Sequence, residues 1–277
     1  MRLLFLVAVL LLAGAGGAAA HDVTGDGSTG VASDARSSVV ADDLPPGVML
    51  EVLQNGLALR LRNGSPALVA VRDPGLQVAP GSSVQWHLDA AHPSPGPPVQ
   101  PWQVIIEVNG VPHHVLGEVR WTPGPSPWPW LAAAALLAAG LGAVVWRAGK
   151  PAWLVVPLAA AILTSIGHTA AALAARTAEG PRWALLGDYL PESGCWVLGA
   201  VAVVLLARGR AEADGLGALA AAGLVLVTLV RAGAVLGAST VLVALPADLD
   251  RALVTGTAGL ATGVFAGLVA RQRNSLP

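Results

Sequence analysis

The stretch TPGPSPWPWLAAAALL, Thr122 to Leu137, decides how this chain is built, because the residue pattern differs on its two sides. Downstream of Pro123-Gly124-Pro125 the sequence is almost continuously apolar. Five candidate spans fall at about 127–146, 152–175, 186–207, 214–236 and 251–270, each near the ~20 residues that a helix needs to cross ~30 Å of hydrocarbon. The junction itself, 124–130, suits a membrane boundary: its prolines stiffen a stalk, and Trp128 and Trp130 belong where indole rings gather at the interface. One stretch stays open. Residues 232–247, apolar after Arg231, either lengthen the fourth span or form a re-entrant or interfacial segment before Asp248.

Upstream of the junction the pattern alternates. From Val48 onward Leu57, Leu59 and Leu61 share one face, while Ala58, Arg60 and Arg62 share the other, which describes a half-buried strand. Asn55-Gly56 and Asn109-Gly110 are two-residue hairpin signals between strand-like runs. Further strands are expected near 67–71, 83–88, 102–108 and 111–121, so residues 45–123 form a small β-sandwich of about six strands. Trp86, Trp102 and Trp121 have the parity of their apolar neighbours and belong to its core. Residues 21–44 are rich in Gly, Ser and Asp without periodicity and read as a flexible leader.

The first 20 residues read as a secretory signal: Arg2 gives the positive start, Leu3 to Leu12 the apolar core, and Ala18-Ala19-Ala20 the small-residue cleavage site. An uncleaved anchor is the alternative. Cleavage after Ala20 would make His21 the first residue of the mature chain. With 54% apolar and 12% charged residues the chain is a membrane protein by composition, and a net charge of −1 offers no footprint for nucleic acid. Its one cysteine, Cys195, excludes an intramolecular disulfide framework. Arg147 and Lys150, Arg208 and Arg210, and Arg271 and Arg273 follow the first, third and fifth spans. Basic residues favour the cytoplasmic side, so the sandwich is expected outside and the carboxyl terminus inside the plasma membrane.

The junction, together with the preceding strand pair PWQVIIEVNG and VLGEVRW, resembles an actinobacterial family of exported membrane proteins whose ectodomain runs through a W-x-PGPSPWPWL motif into a helical bundle. The resemblance covers residues 45–270. Members of that family carry a segment of the form W-[HY]-D-H-R-x-H-W before these strands. The matching stretch here, WHLDAAHP, keeps Trp86, His87 and His92 but lacks the middle histidine and the final tryptophan. The resemblance implies an envelope role associated with copper handling.

Two groups of residues could carry chemistry. Outside the membrane, His87, His92, His114 and the mobile His21 are candidate metal ligands, since imidazole suits copper(II) or zinc. His113 shares the apolar face of Val115 and is expected to be structural. Inside the spans lie His168, Asp188, Glu192, Cys195 and Arg231. Ionisable groups in hydrocarbon are costly and face a bundle interior or a water-filled cavity. Asp188, Glu192 and Cys195 share one face if the third helix is unbroken, but Pro191 could begin that helix and leave Asp188 in a loop. Gly259, Gly263 and Gly267 form a small-residue face for close helix packing, within the chain or between two copies. No nucleotide loop, nucleophile elbow or zinc-protease motif occurs, so no enzyme and no catalytic residue is expected. Three readings follow: a non-enzymatic envelope protein presenting a sandwich that binds copper, a small permease or transport accessory using the intramembrane polar groups, or a scaffold for another envelope protein.

Overall fold

The Asn109-Gly110 pair makes a two-residue hairpin turn, with φ of +50° and +80°, values that suit these two residue types. It joins β8 (Val99–Val108) to β9 (Val111–Trp121) with Val108 opposite Val111. In this computed structural model, residues 32–56, 58–91, 97–148, 151–175, 189–210 and 212–274 are described. The expected signal peptide and His21 lie outside them.

The long β8–β9 hairpin anchors a five-stranded antiparallel sheet in the order β2-β9-β8-β5-β6, with β2 at Ala35–Asp42, β5 at Val69–Val71 and β6 at Leu76–Val78. A second antiparallel sheet holds β3 (Val48–Leu53), β4 (Ala58–Asn63) and β7 (Ser83–Trp86) in the order β3-β4-β7. Period-2 alternation sends Leu59 and Leu61 of β4, Val69 and Val71 of β5, and Val104, Ile106 and Val115 of the hairpin into one core between the sheets. Trp86 and Trp102 are buried in that core and Trp121 packs against it, as their parity predicts.

Two local expectations are corrected. The leader does not run through residue 44, because Ala35–Asp42 form an edge strand on β9. Its inward residues are small: Ala35 and Ser37 are buried, and Ser37 Oγ accepts a 3.1 Å hydrogen bond from Trp102 Nε1. Asn55-Gly56 is not a two-residue hairpin either. Leu53 pairs with Ala58, so residues 54–57 connect β3 to β4. Asn55 instead reaches β2, where its Oδ1 accepts from Ser37 N–H at 3.1 Å and its Nδ2 donates to Ala35 O. Leu57 lies outside the described residues. A two-residue strand β1 (Ala32–Ser33) pairs with β10 (Thr240–Val241), and residues 238–242 group with 32–124 as one compact unit.

The other unit comprises Pro125–Gly237 with the chain from Val243 onward. Its helices are α1 (Trp128–Ala148), α2 (Val155–Ala175), α3 (Leu190–Ala207), α4 (Ala213–Val227) and α5 (Ala247–Asn274). Five segments are long and apolar enough to cross a membrane: Trp128–Val145, Ala152–Ala175, Leu190–Ala207, Ala213–Leu236 and Ala247–Arg271. The fourth continues past α4 through a π turn at Thr228–Ala232 and a 3-10 turn at Gly233–Leu236. The open stretch after Arg231 therefore lengthens span four to Leu236 and then enters β10. Leu136, Val156, Leu163 and Val197 are exposed on the helix surfaces, the outcome expected where the solvent is lipid.

The glycine face of α5 meets α1 within the same chain. A Cβ built on Gly259 would approach Ala134 and Leu137, one on Gly263 would approach Leu141 and Ala138, and one on Gly267 would approach Val145. Residue numbers rise together along the two helices, so α1 and α5 run parallel. Parallel first and fifth spans require an odd number of crossings between them, in agreement with three intervening helices.

Candidate functional site

The polar groups of the bundle converge because four helices place them at one end. His168 lies two turns before the end of α2, Glu192 in the first turn of α3, Arg231 in the π turn late in span four, and Asp250 in the first turn of α5. Successive spans alternate in direction, so late positions of α2 and of span four meet early positions of α3 and α5. The π turn matters locally. It changes the helical pitch just where Arg231 must face inward, a common use of this irregularity.

Glu192 and Arg231 form an ion pair with Oε2 and Nη1 3.0 Å apart, and the guanidinium carbon lies 5.2 Å from the ring centre of Tyr189. His168 Nδ1 and Asp250 Oδ1 are 2.8 Å apart, with the Asp250 side chain fully buried. Asp250 Oδ2 has no hydrogen-bond partner among the described residues. Next to these pairs, Trp196 Nε1 donates to Ser165 Oγ at 2.9 Å, and the hydroxyls of Thr164 and Thr257 are 2.9 Å apart. Arg251 Nε donates to Val235 O at 3.2 Å and Nη1 to Asp248 at 2.7 Å, which fastens the start of α5 to the end of span four.

These residues border a cavity of about 30 Å³, lined by Ser165, His168, Thr169, Ala172, Tyr189, Glu192, Val227, Thr228, Arg231, Ala232, Val254 and Thr257. A water requires ~10–15 Å³ by this measure, so the space suits about two waters. Organic ligands occupy pockets of ~300–1,000 Å³. The arrangement can therefore hold water or exchange a small ion, and it is far too small for a sugar or an amino acid.

Of the intramembrane candidates, the structure joins His168, Glu192 and Arg231. Cys195 shares the Glu192 side of α3 but lies deeper in the bundle core, against Gly223 of α4. Asp188 lies outside the described residues, and α3 begins at Leu190 with Pro191 in its first turn. Sequence reasoning missed Asp250 as a member of the site, since it set the fifth span at 251 while the helix begins at Ala247. The available signal was the depth of His168, which called for a partner of opposite charge near the start of another span.

The histidines of the β unit are dispersed among the described residues. His87 Nε2 lies 2.8 Å from Asp89 Oδ1 after β7 of the three-stranded sheet. His114 is on the outward face of β9 in the other sheet, with Nδ1 2.5 Å from Gln103 Nε2. His113 is half-buried, its Nδ1 2.8 Å from Asp43 O, which fits a structural role. No group of three His, Cys, Asp or Glu side chains able to hold a metal occurs among the described residues, outside which His21 and His92 lie.

Fold and site together define a multi-pass membrane protein: a two-sheet β-sandwich followed by five helices fit to cross a bilayer, with a charged polar cluster inside the helical bundle. Comparison with protein-family models, with characterised proteins and with solved structures finds no match to this chain.

Proposed function

We propose that the chain is a non-enzymatic transport component of the plasma membrane, a small permease or transport accessory whose bundle handles a small ion, with the sandwich outside the cell and the carboxyl terminus inside. The observation that carries this reading is the convergence of His168, Glu192 and Arg231 from three spans around a water-sized cavity, with Asp250 of a fourth bonded to His168. Charges in hydrocarbon cost several kcal/mol each, and a fold that needed only stability would gain as much from apolar packing. The orientation rests on the Arg and Lys residues that follow the odd-numbered spans.

The reading based on copper draws on the resemblance and on His87, His92, His114 and His21. The bundle reading takes precedence because its groups are already assembled. Solid-supported-membrane recordings on the full chain in proteoliposomes test it. Concentration jumps of H⁺, Na⁺, K⁺ and Cl⁻ should give a charge displacement with at least one ion, and Glu192→Gln with Arg231→Gln should remove it. Silence with every ion from folded protein would leave the scaffold reading in its place.

A further inference from the structure

We propose that His168 and Asp250 form a proton-relay pair, so that the species handled at the bundle cavity is the proton. This rests on the transport reading and names its cargo. Asp250 is fully buried, with Oδ1 engaged by His168 and Oδ2 without a hydrogen-bond partner among the described residues. It lies on the same face of α5 as Val254 and Thr257, at i, i+4 and i+7, and both of those line the cavity. His168 also lines the cavity. With Nδ1 committed to Asp250, Nε2 is the ring nitrogen left to meet cavity water.

Other charged groups among the described residues near this end of the bundle are engaged in pairs of their own. Glu192 of α3 is matched by Arg231 of span four, and Asp248 is matched by Arg251 on α5. Tyr189 precedes α3 beneath the Arg231 guanidinium, and Cys195 lies deeper against α4. A metal ion fits the site poorly. The carboxylate that lines the cavity, Glu192, is already paired with Arg231, and hard divalent cations require six or more oxygen ligands.

A hydronium in the cavity gives its proton to Nε2 of the neutral imidazole and remains as water. The Nδ1 proton then passes to Asp250 Oδ1. The ring is neutral again with its proton on Nε2, Asp250 is a carboxylic acid, and no electron has moved; the reverse transfers, Asp250 Oδ1 to Nδ1 and Nε2 to cavity water, unload the proton when the cavity opens to the other side and restore the starting tautomer.

The test uses the full chain in liposomes loaded with pyranine, with proton entry driven by a potassium diffusion potential and sodium uptake measured in parallel. Proton entry should exceed that of protein-free vesicles. His168→Gln and Asp250→Asn should each reduce it by about tenfold or more, since a positioned acid-base group contributes ~10²–10⁴ to a proton-transfer rate. Asp250→Glu, which keeps the carboxylate, should retain part of the flux. Each variant is checked for its thermal transition, and if Asp250→Asn fails to fold, His168→Gln decides. Sodium uptake without proton entry would overturn the proton assignment and leave the transport reading standing. Proton entry unchanged in both variants would overturn the relay. No ion movement at all from folded protein would remove both.

Discussion

Gly263→Leu should loosen the contact that closes the bundle. A Cβ at this position would stand 2.9 Å from both Cβ and Cδ2 of Leu141 and 3.1 Å from the carbonyl oxygen of Ala138. Ordinary carbon contacts need ~3.5 Å or more, so even alanine requires α1 to retreat by about half an ångström. Leucine adds three further carbons, and the helix backbone at Ala138 cannot rotate out of the way as a side chain can. Overpacking of this kind costs about 1–3 kcal/mol, and the backbone contact places this case at the upper end. A loss of ~3 kcal/mol lowers the melting temperature of a chain of this size by about 6–12 °C. The assay is thermal unfolding in detergent, with Gly140→Leu as control: Gly140 lies on α1, and a Cβ there meets nothing within 4 Å. Gly263→Ala should fall between the two. Equal melting temperatures for Gly263→Leu and Gly140→Leu would refute the parallel α1–α5 packing.

The remaining predictions address the ion pair, the sandwich and the topology. Glu192→Gln should destabilise the bundle by about 3 kcal/mol, the lower end for breaking a buried pair because Arg231 borders the cavity; a double-mutant cycle with Arg231→Gln should give a coupling above ~1 kcal/mol, and additivity within ~0.5 kcal/mol would contradict the pairing. Gly117→Ala would drive a methyl into the Trp102 ring, so hydrogen exchange across β8 and β9 should accelerate as if about 2–3 kcal/mol had been lost, while unchanged protection would show that the ring can move aside. Ser275→Cys in a Cys195→Ala background should be protected from membrane-impermeant thiol reagents in intact cells; labelling from outside would reverse the orientation.

The spans were legible because length and hydropathy alone define a helix in hydrocarbon, and three of the five expected starts lie within two residues of the observed segments. The fifth start moved from 251 to Ala247 because Asp248 and Asp250 read as interfacial charge, and that difference concealed the partner of His168. Strand β2 was hidden for another reason. Ala35 and Ser37 are buried, yet neither is large or apolar enough to create visible alternation; their burial depends on the Trp102 ring that covers Ser37. The glycine face was visible as spacing, but only three-dimensional contact assigns it to α1 of the same chain. The π turn that carries Arg231 leaves no hydropathy signature, since Thr228, Leu229 and Val230 serve equally well in an α-helix.

A bundle that handles ions must let water reach its charged site. The most direct measurement of that access is magnetisation transfer from water to histidine rings, by NMR of the full chain in lipid nanodiscs, with His168→Gln identifying the relevant signal. A water contact at the His168 ring should persist when His87, His113 and His114 are replaced together. A His168 signal with no water contact would contradict it, because a dry cavity could neither exchange a proton nor pass an ion.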